Sequence, residues 1–370
     1  MLLILLNSCP AILLAAIGDA GGEAGRAVNA EEVPPGAALV GSLVLGLFAA
    51  SLYAWVWLIS RKVSGKPVLS TADKSPLPPW GLVDLFVAIG SLFVAGMVVS
   101  GLIRALGYAD LFGLEPKPLP LVAVDFGLPM LLAVGLATWW LAASFRGGGA
   151  AWSLRDLKRD LVLGSTMYLL IAPLLLLLMA AATGVSGVEY DHPIVKVFDP
   201  SPLTILSGYF VAALVAPLAE EFLFRVLLQG YLQSVAAGGP LLLTTILMGR
   251  GRHPAAVSQL ENAREFEATA RSDSLADSHS AGVAHPPDAI DAGATARQPW
   301  WPLVVTGVLF GLAHYDYGVS WIPLIFFGWV LGWLYRRTGR IWPCVVAHAC
   351  SNAFAVTMMS IAAAYDMPTP

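Results

Sequence analysis

Charge is what this sequence has least of. Only 12% of its 370 residues are Asp, Glu, Lys or Arg, against 57% hydrophobic residues. A soluble domain carries roughly a quarter charged residues, so an ordinary soluble globule of this length is excluded. Cysteine is scarce as well. Cys9, Cys344 and Cys350 make no CxxC pair, which excludes a disulfide framework and a cysteine-ligated metal knuckle. Cys344 and Cys350 lie in an apolar stretch and read as packing residues. A basic segment ahead of the first apolar run is also missing, so Met1 to about Ala20 makes an atypical signal peptide. Leu6-Asn7-Ser8-Cys9 is a poor lipobox. The formal net charge of −4 separates no function classes, because a membrane protein sorts its charge by side.

What the chain does have is long apolar runs, with a mean hydropathy of +0.72. An all-α polytopic membrane bundle follows, with about eight spans at 36–59, 80–103, 120–144, 161–183, 202–222, 300–317, 320–335 and 341–363. Residues 1–35 form a possible signal segment and an acidic linker. Residues 36–201 form an N-terminal four-helix region, and 202–363 a C-terminal region interrupted by an insertion at 250–299. That insertion is rich in Ala, Ser, Asp, Glu, Arg and His, and cannot bury a core. Its His253, His279 and His285 have no ligand spacing and read as solvated. Ser153-Leu154-Arg155-Asp156 reads as a capping box ahead of the fourth span. With the first linker outside, 17 of the 21 Lys and Arg residues fall on the inner side. This orientation puts both chain ends outside.

Against this background a few polar residues stand out. Glu220-Glu221 and Arg225 close the fifth apolar run. Ionisable groups in a membrane segment are costly and mark function by default. Glu221 and Arg225 are four apart, on one helix face and in the favourable acid-first order. Glu220 points about 100° away. The sixth span carries Phe310 and His314, and the eighth carries His348 and Asn352 on one face. Gly307/Gly311 and Gly328/Gly332 are small pairs that let helices approach closely.

These residue types suit hydrolysis. A carboxylate in an apolar setting is poised as a general base for water. A histidine can hold the same water, and a histidine with an asparagine amide can supply donors to an oxyanion. Alternatively, Glu220, His314 and His348 could ligate zinc with one position open. Their spacing is not HExxH, so zinc is compatible with the sequence but not required by it.

The set E-E-x-x-x-R, F-x-x-x-H and H-x-x-x-N, in successive hydrophobic helices, resembles the CAAX-protease and bacteriocin-processing family of intramembrane endopeptidases, which includes the type II CAAX prenyl endopeptidases. The resemblance covers about 202–360. It implies that Glu220 and His314 activate water, that His348 and Asn352 stabilise the oxyanion, and that Glu221, Arg225 and Phe310 position the site. Enzymes of the glutamic and metallo types are both consistent with it. The insertion departs from the family, where the first two motifs lie close together. The partners implied are a membrane-associated or lipidated peptide or protein and the bilayer, not nucleic acid. The residence implied is a bacterial plasma membrane, with the site near the cytoplasmic side.

Three other readings compete. Gly184-Val185-Ser186-Gly187 spells the GxSG of a rhomboid-like serine protease but reads as a turn. A transporter would show an inverted repeat, which is missing, and would not keep its polar residues in one half. A non-catalytic scaffold or immunity-type protein that retains the motifs is the remaining alternative.

Overall fold

Helix is imposed on a chain like this by the bilayer, because every backbone N–H and C=O needs an internal partner there. The computed structural model describes residues 34–66, 78–108, 110, 118–145, 154, 156–186, 198–236, 242–249 and 299–365. Among these residues there is no strand. The expected signal segment, residues 250–298 of the insertion with its three histidines, and Ser153 of the expected capping box lie outside the described residues.

The helices in chain order are α1 (Pro35–Val63), α2 (Leu82–Ala105), α3 (Leu119–Ser144), α4 (Leu157–Ser186), α5 (Pro202–Ala236), α6 (Leu242–Met248), α7 (Trp301–Leu312), α8 (Trp321–Thr338) and α9 (Trp342–Ala364). Seven are long and apolar enough to cross a membrane: α1 to α5, α9, and α8 with the short turn before it. The chain is a polytopic helical membrane protein. Two of the expected spans differ in form.

The stretch expected to span at 300–317 is the 12-residue α7, about 18 Å long at 1.5 Å per residue. That is short of the ~30 Å of hydrocarbon. The chain turns back through residues 313–320, where Gly318 takes a positive φ of 72°. At the other end of this hairpin, the Arg336 guanidinium lies 4.4 Å from the Trp300 ring centroid. The end of α8 is therefore level with the start of α7. Close packing holds the pair together. A Cβ on Gly307 would sit 2.1 Å from Trp329, one on Gly311 2.4 Å from Ile325, and one on Gly328 2.9 Å from Gly307. Glycine is required at these contacts because any side chain would hold the helices apart, and close packing is one of the forces that associate helices in lipid.

The second difference is α5. The run expected to end at 222 continues as helix to Ala236, 35 residues in all. Its polar residues Arg225, Gln229, Gln233 and Ser234 are buried against protein rather than exposed to lipid. Polarity there ends the lipid-facing run, not the helix. α5 is also not uniformly α-helical. Tyr209–Val215 and Phe222–Gln229 are π-helical, and a shorter π turn, Ala123–Gly127, occurs in α3. Two of these three precede a proline, Pro217 and Pro129. A proline inside a helix has no N–H to give and crowds the carbonyl four residues back. Widening the preceding turn relieves both problems.

One core cluster draws on both halves of the chain, including Trp80, Tyr168, Phe222, Phe310, Phe327 and Ala347. Polar contacts join neighbours across it. Trp55 Nε1 donates to Leu170 O at 3.0 Å, and Tyr209 and Thr357 share a hydroxyl contact of 2.7 Å. Arg340, just before α9, grips buried Asp160 of α4 with Nε 2.9 Å and Nη2 2.6 Å from Oδ2. Cys344 is buried, with Sγ 3.3 Å from Leu331 O, and Cys350 lies 3.9 Å from Ser165 Oγ. Both are packing residues, as their setting predicts.

Candidate active site

Three elements converge near the middle of α5. α5 contributes Glu220, Glu221 and Arg225. The turn that ends α7 contributes His314, and α9 contributes His348. Because α7 stops short, its last residues lie beside the centre of α5.

The two adjacent glutamates have different surroundings. The Glu221 side chain is 0% exposed, and that of Glu220 is 22% exposed. Glu221 Oε2 accepts from Arg225 Nε at 2.8 Å, and its Oε1 is 2.9 Å from His348 Nδ1. Glu220 Oε2 is 3.7 Å from His314 Nε2 and 3.9 Å from His348 Nε2. It has no hydrogen-bond partner among the described residues. These separations exceed a direct hydrogen bond and are of the kind that one intervening water closes. Glu221 is therefore the framework carboxylate, and Glu220 the one a reactant can meet.

The ring nitrogens are distinguishable. His314 Nδ1 lies 2.9 Å from Phe310 O. A carbonyl only accepts, so Nδ1 carries the hydrogen. His348 Nδ1 likewise faces the Glu221 carboxylate. In the neutral form both histidines turn a bare Nε2 towards Glu220, with the tautomer fixed from behind. Phe310 is the hub of this shell and is fully buried. Its ring centroid is 5.3 Å from that of His314, 5.5 Å from His348 and 5.2 Å from the Arg225 guanidinium carbon.

Asn352 meets α5 one turn further along α9. Its Nδ2 donates to Ala212 O at 2.7 Å. The sequence explains why this carbonyl needs a donor. In an α-helix its partner would be Ala216 N, but that amide donates to Val211 O instead. In π register its partner would be residue 217, which is proline. Pro217 thus orphans Ala212 O inside the bundle, and Asn352 satisfies it. One of the two amide hydrogens of Asn352 is committed to this role.

Sequence reasoning missed Gln229. It is fully buried, and its Nε2 donates to Gly332 O at 2.8 Å, tying α5 to α8. Its signal is the continuation of the Glu221, Arg225 spacing by four more residues. A Cβ on Gly332 would lie 3.0 Å from Gln229 Oε1 and 3.4 Å from Arg225 Nη1, so glycine makes room for both. Ser186 of the GxSG stretch ends α4 and donates to Thr183 O at 3.4 Å. Gly187 lies outside the described residues.

Zinc can be tested on this geometry. The donor types fit, since two imidazoles and a carboxylate are a familiar set. The spacing does not. With bonds of about 2.1 Å, separations of 3.7 and 3.9 Å require ligand angles of roughly 125° and 135°, both wider than tetrahedral. Among the described residues no group of three or more His, Cys, Asp or Glu side chains is arranged to hold a metal ion.

Comparison with known proteins returns one kind of match. No curated protein and no solved structure matches the chain. A family model does, over residues 202–259 and 291–354. The two segments carry all the residues just described on α5, α7, α8 and α9, and the gap between them falls inside the insertion. Through these helices the chain is matched to the family described as Type II CAAX prenyl endopeptidase Rce1-like.

Proposed function

We propose that this protein is an intramembrane endopeptidase that hydrolyses peptide bonds of membrane-associated or lipidated substrates with a water activated by Glu220. The observation that carries this reading is the split between the glutamates. A partly exposed carboxylate turns a buried oxygen without a hydrogen-bond partner among the described residues towards two bare imidazole nitrogens, and a fully buried carboxylate holds the framework.

In this reading a water sits between Glu220 Oε2 and His314 Nε2. Glu220 takes one proton as the oxygen attacks the scissile carbonyl. The remaining N–H of Asn352 donates to the developing oxyanion. His348 also donates there when its ring carries both protons, with Glu221 accepting from Nδ1. The proton held by Glu220 then passes to the departing amine. Phe310, Arg225 and Glu221 keep both rings in place, which matters because displacements of about 1 Å cost around a hundredfold in rate. No step is routed through a metal, because the spacing does not fit one. The site belongs near the cytoplasmic side if Lys and Arg set the orientation.

The test is cleavage of a fluorogenic library of lipidated and plain amphipathic peptides by the purified protein. Glu220→Gln and His314→Ala are expected to lower kcat by about a thousandfold or more while both proteins fold, and wild-type cleavage is expected to survive a zinc chelator. Loss with the chelator and recovery with zinc would make Glu220, His314 and His348 metal ligands. Failure of the wild type on every peptide would favour the scaffold alternative.

A further inference from the structure

The N-terminal half, which the family match leaves uncovered, meets the helix that carries the Glu pair at Trp80, among other contacts. Trp80 precedes α2 and is 4% exposed. Its Nε1 donates to Leu227 O at 3.2 Å, in the second π-helical stretch of α5. This is the turn that follows Arg225. There the Gly230 amide donates to both Arg225 O and Leu227 O. Trp80 also packs against Gly230, where an added Cβ would be 3.0 Å from its ring and 2.9 Å from Pro78. Ser234 Oγ donates to Pro78 O, so the strap of residues 78–84 is fixed to α5 at Pro78 as well as at Trp80.

The strap is itself held by a buried carboxylate that the mechanism does not use. Asp84 is 0% exposed. It accepts from Gly81 N at 2.9 Å and from Trp140 Nε1 of α3 at 2.9 Å. Its two oxygens thereby fix the residue next to Trp80. A continuous path runs from Trp140 through Asp84, Gly81 and Trp80 to Leu227, then along one turn of α5 to Arg225, Glu221 and His348. π-helical turns are rare and occur frequently at functional sites, and this one bears the arginine that orients the framework carboxylate.

We propose that Trp80 is a positioning residue for the Glu221–His348 framework, and that residues 78–84 form a strap by which the N-terminal half bears on the geometry of the site. The inference rests on the endopeptidase reading for its effect on rate.

The experiment uses the full-length protein in nanodiscs. Trp80→Phe removes the N–H donor, and Trp55→Phe removes a more exposed indole bond, to Leu170 O, between α1 and α4. If Trp80→Phe fails to fold, a benzothienyl alanine at position 80 keeps the shape and removes only the donor. Two quantities are measured: kcat and KM on a cleaved peptide, and the ¹⁵N signal of the His348 Nδ1–H. Expected for the Trp80 variant are a kcat lower by about tenfold or more with KM held within about twofold, and a shifted His348 signal. Trp55→Phe changes neither. A Trp80 variant with an unshifted His348 signal, or with a kcat like that of Trp55→Phe, overturns the proposal. Should the wild type cleave nothing, the endopeptidase reading fails, and the His348 signal alone decides the strap.

Discussion

The link between Pro217 and Asn352 makes a prediction that separates a structural role from a chemical one. Asn352 Nδ2 supplies the hydrogen bond that Pro217 denies to Ala212 O. Asn352→Ala leaves the carbonyl of half-buried Ala212 unpaired, at up to about 1–3 kcal/mol. Pro217→Ala restores a backbone N–H five residues on, in the register the π turn already uses. With that donor present, Ala212 O no longer depends on Asn352. The double variant is therefore expected to lose less stability than the two single losses added, by about 1 kcal/mol or more. That is above the ~0.5 kcal/mol within which independent sites add. Asn352→Asp provides a second check. It keeps the shape but puts an oxygen against a carbonyl, so it should destabilise more than alanine does. Reversible unfolding in bicelles, monitored by intrinsic fluorescence, measures all four variants. Additive losses, or a milder effect of aspartate than of alanine, would refute the orphaned-carbonyl argument.

Two further predictions rest on single contacts. Arg225→Met strands the fully buried Glu221 carboxylate and should cost about 3–5 kcal/mol, whereas Arg225→Met combined with Glu221→Gln should recover much of that; the same unfolding assay decides. At the start of α5, outside the membrane, Asp199 is held below the ordinary aspartate range by hydrogen bonds from Ser201 and Thr204. A depressed carboxylate contributes stability above its unfolded pKa, about 4, and loses it as pH falls through the lower folded value. The Asp199 carboxyl carbon should titrate below free aspartate by NMR, and Ser201→Ala should move the midpoint up.

Much of the site was legible because charge is so rare in this chain. Glu220, Glu221, Arg225, His314 and His348 stand out in apolar runs, and the structure brings all five together. The glycine pairs at 307/311 and 328/332 were legible for the same reason, since packing in lipid selects small residues. Hydropathy misread α7 because it counts apolar residues and does not see a turn. The stretch 300–317 is apolar enough to span, but its last residues, from Ala313, leave the helix. Hydropathy also ended α5 at the first polar residues, which are buried by neighbours the sequence does not reveal. The roles of Asn352, Gln229 and Trp80 were hidden for a third reason. Each donates to a backbone carbonyl, and which carbonyl needs a donor depends on helix register. Pro217 was the available clue, since a proline fourteen residues into an apolar run must leave a carbonyl unpaired.

The two π-helical stretches also explain how one helix serves different neighbours on either side of the glutamates. Each widened turn admits an extra residue, which rotates everything after it by about 100° relative to a continuous α-helix. Before the Glu pair, α5 turns Tyr209 and the Ala212 carbonyl towards Thr357 and Asn352 of α9. After it, Gln229 reaches Gly332 of α8, and the Leu227 carbonyl meets Trp80. The six α-helical residues between them, Ala216–Glu221, are where the partner changes from α9 to α8. Glu221 sits at that crossover, reaching His348 on α9 with one oxygen and Arg225 on its own helix with the other. Glu220, one residue earlier, points into the gap between α7 and α9. A straight α-helix could not keep both sets of contacts, because restoring its register on one side would rotate the other side away from its partners. The glutamate pair thus occupies a place in α5 from which its own helix, α9 and the turn that ends α7 are reached at once.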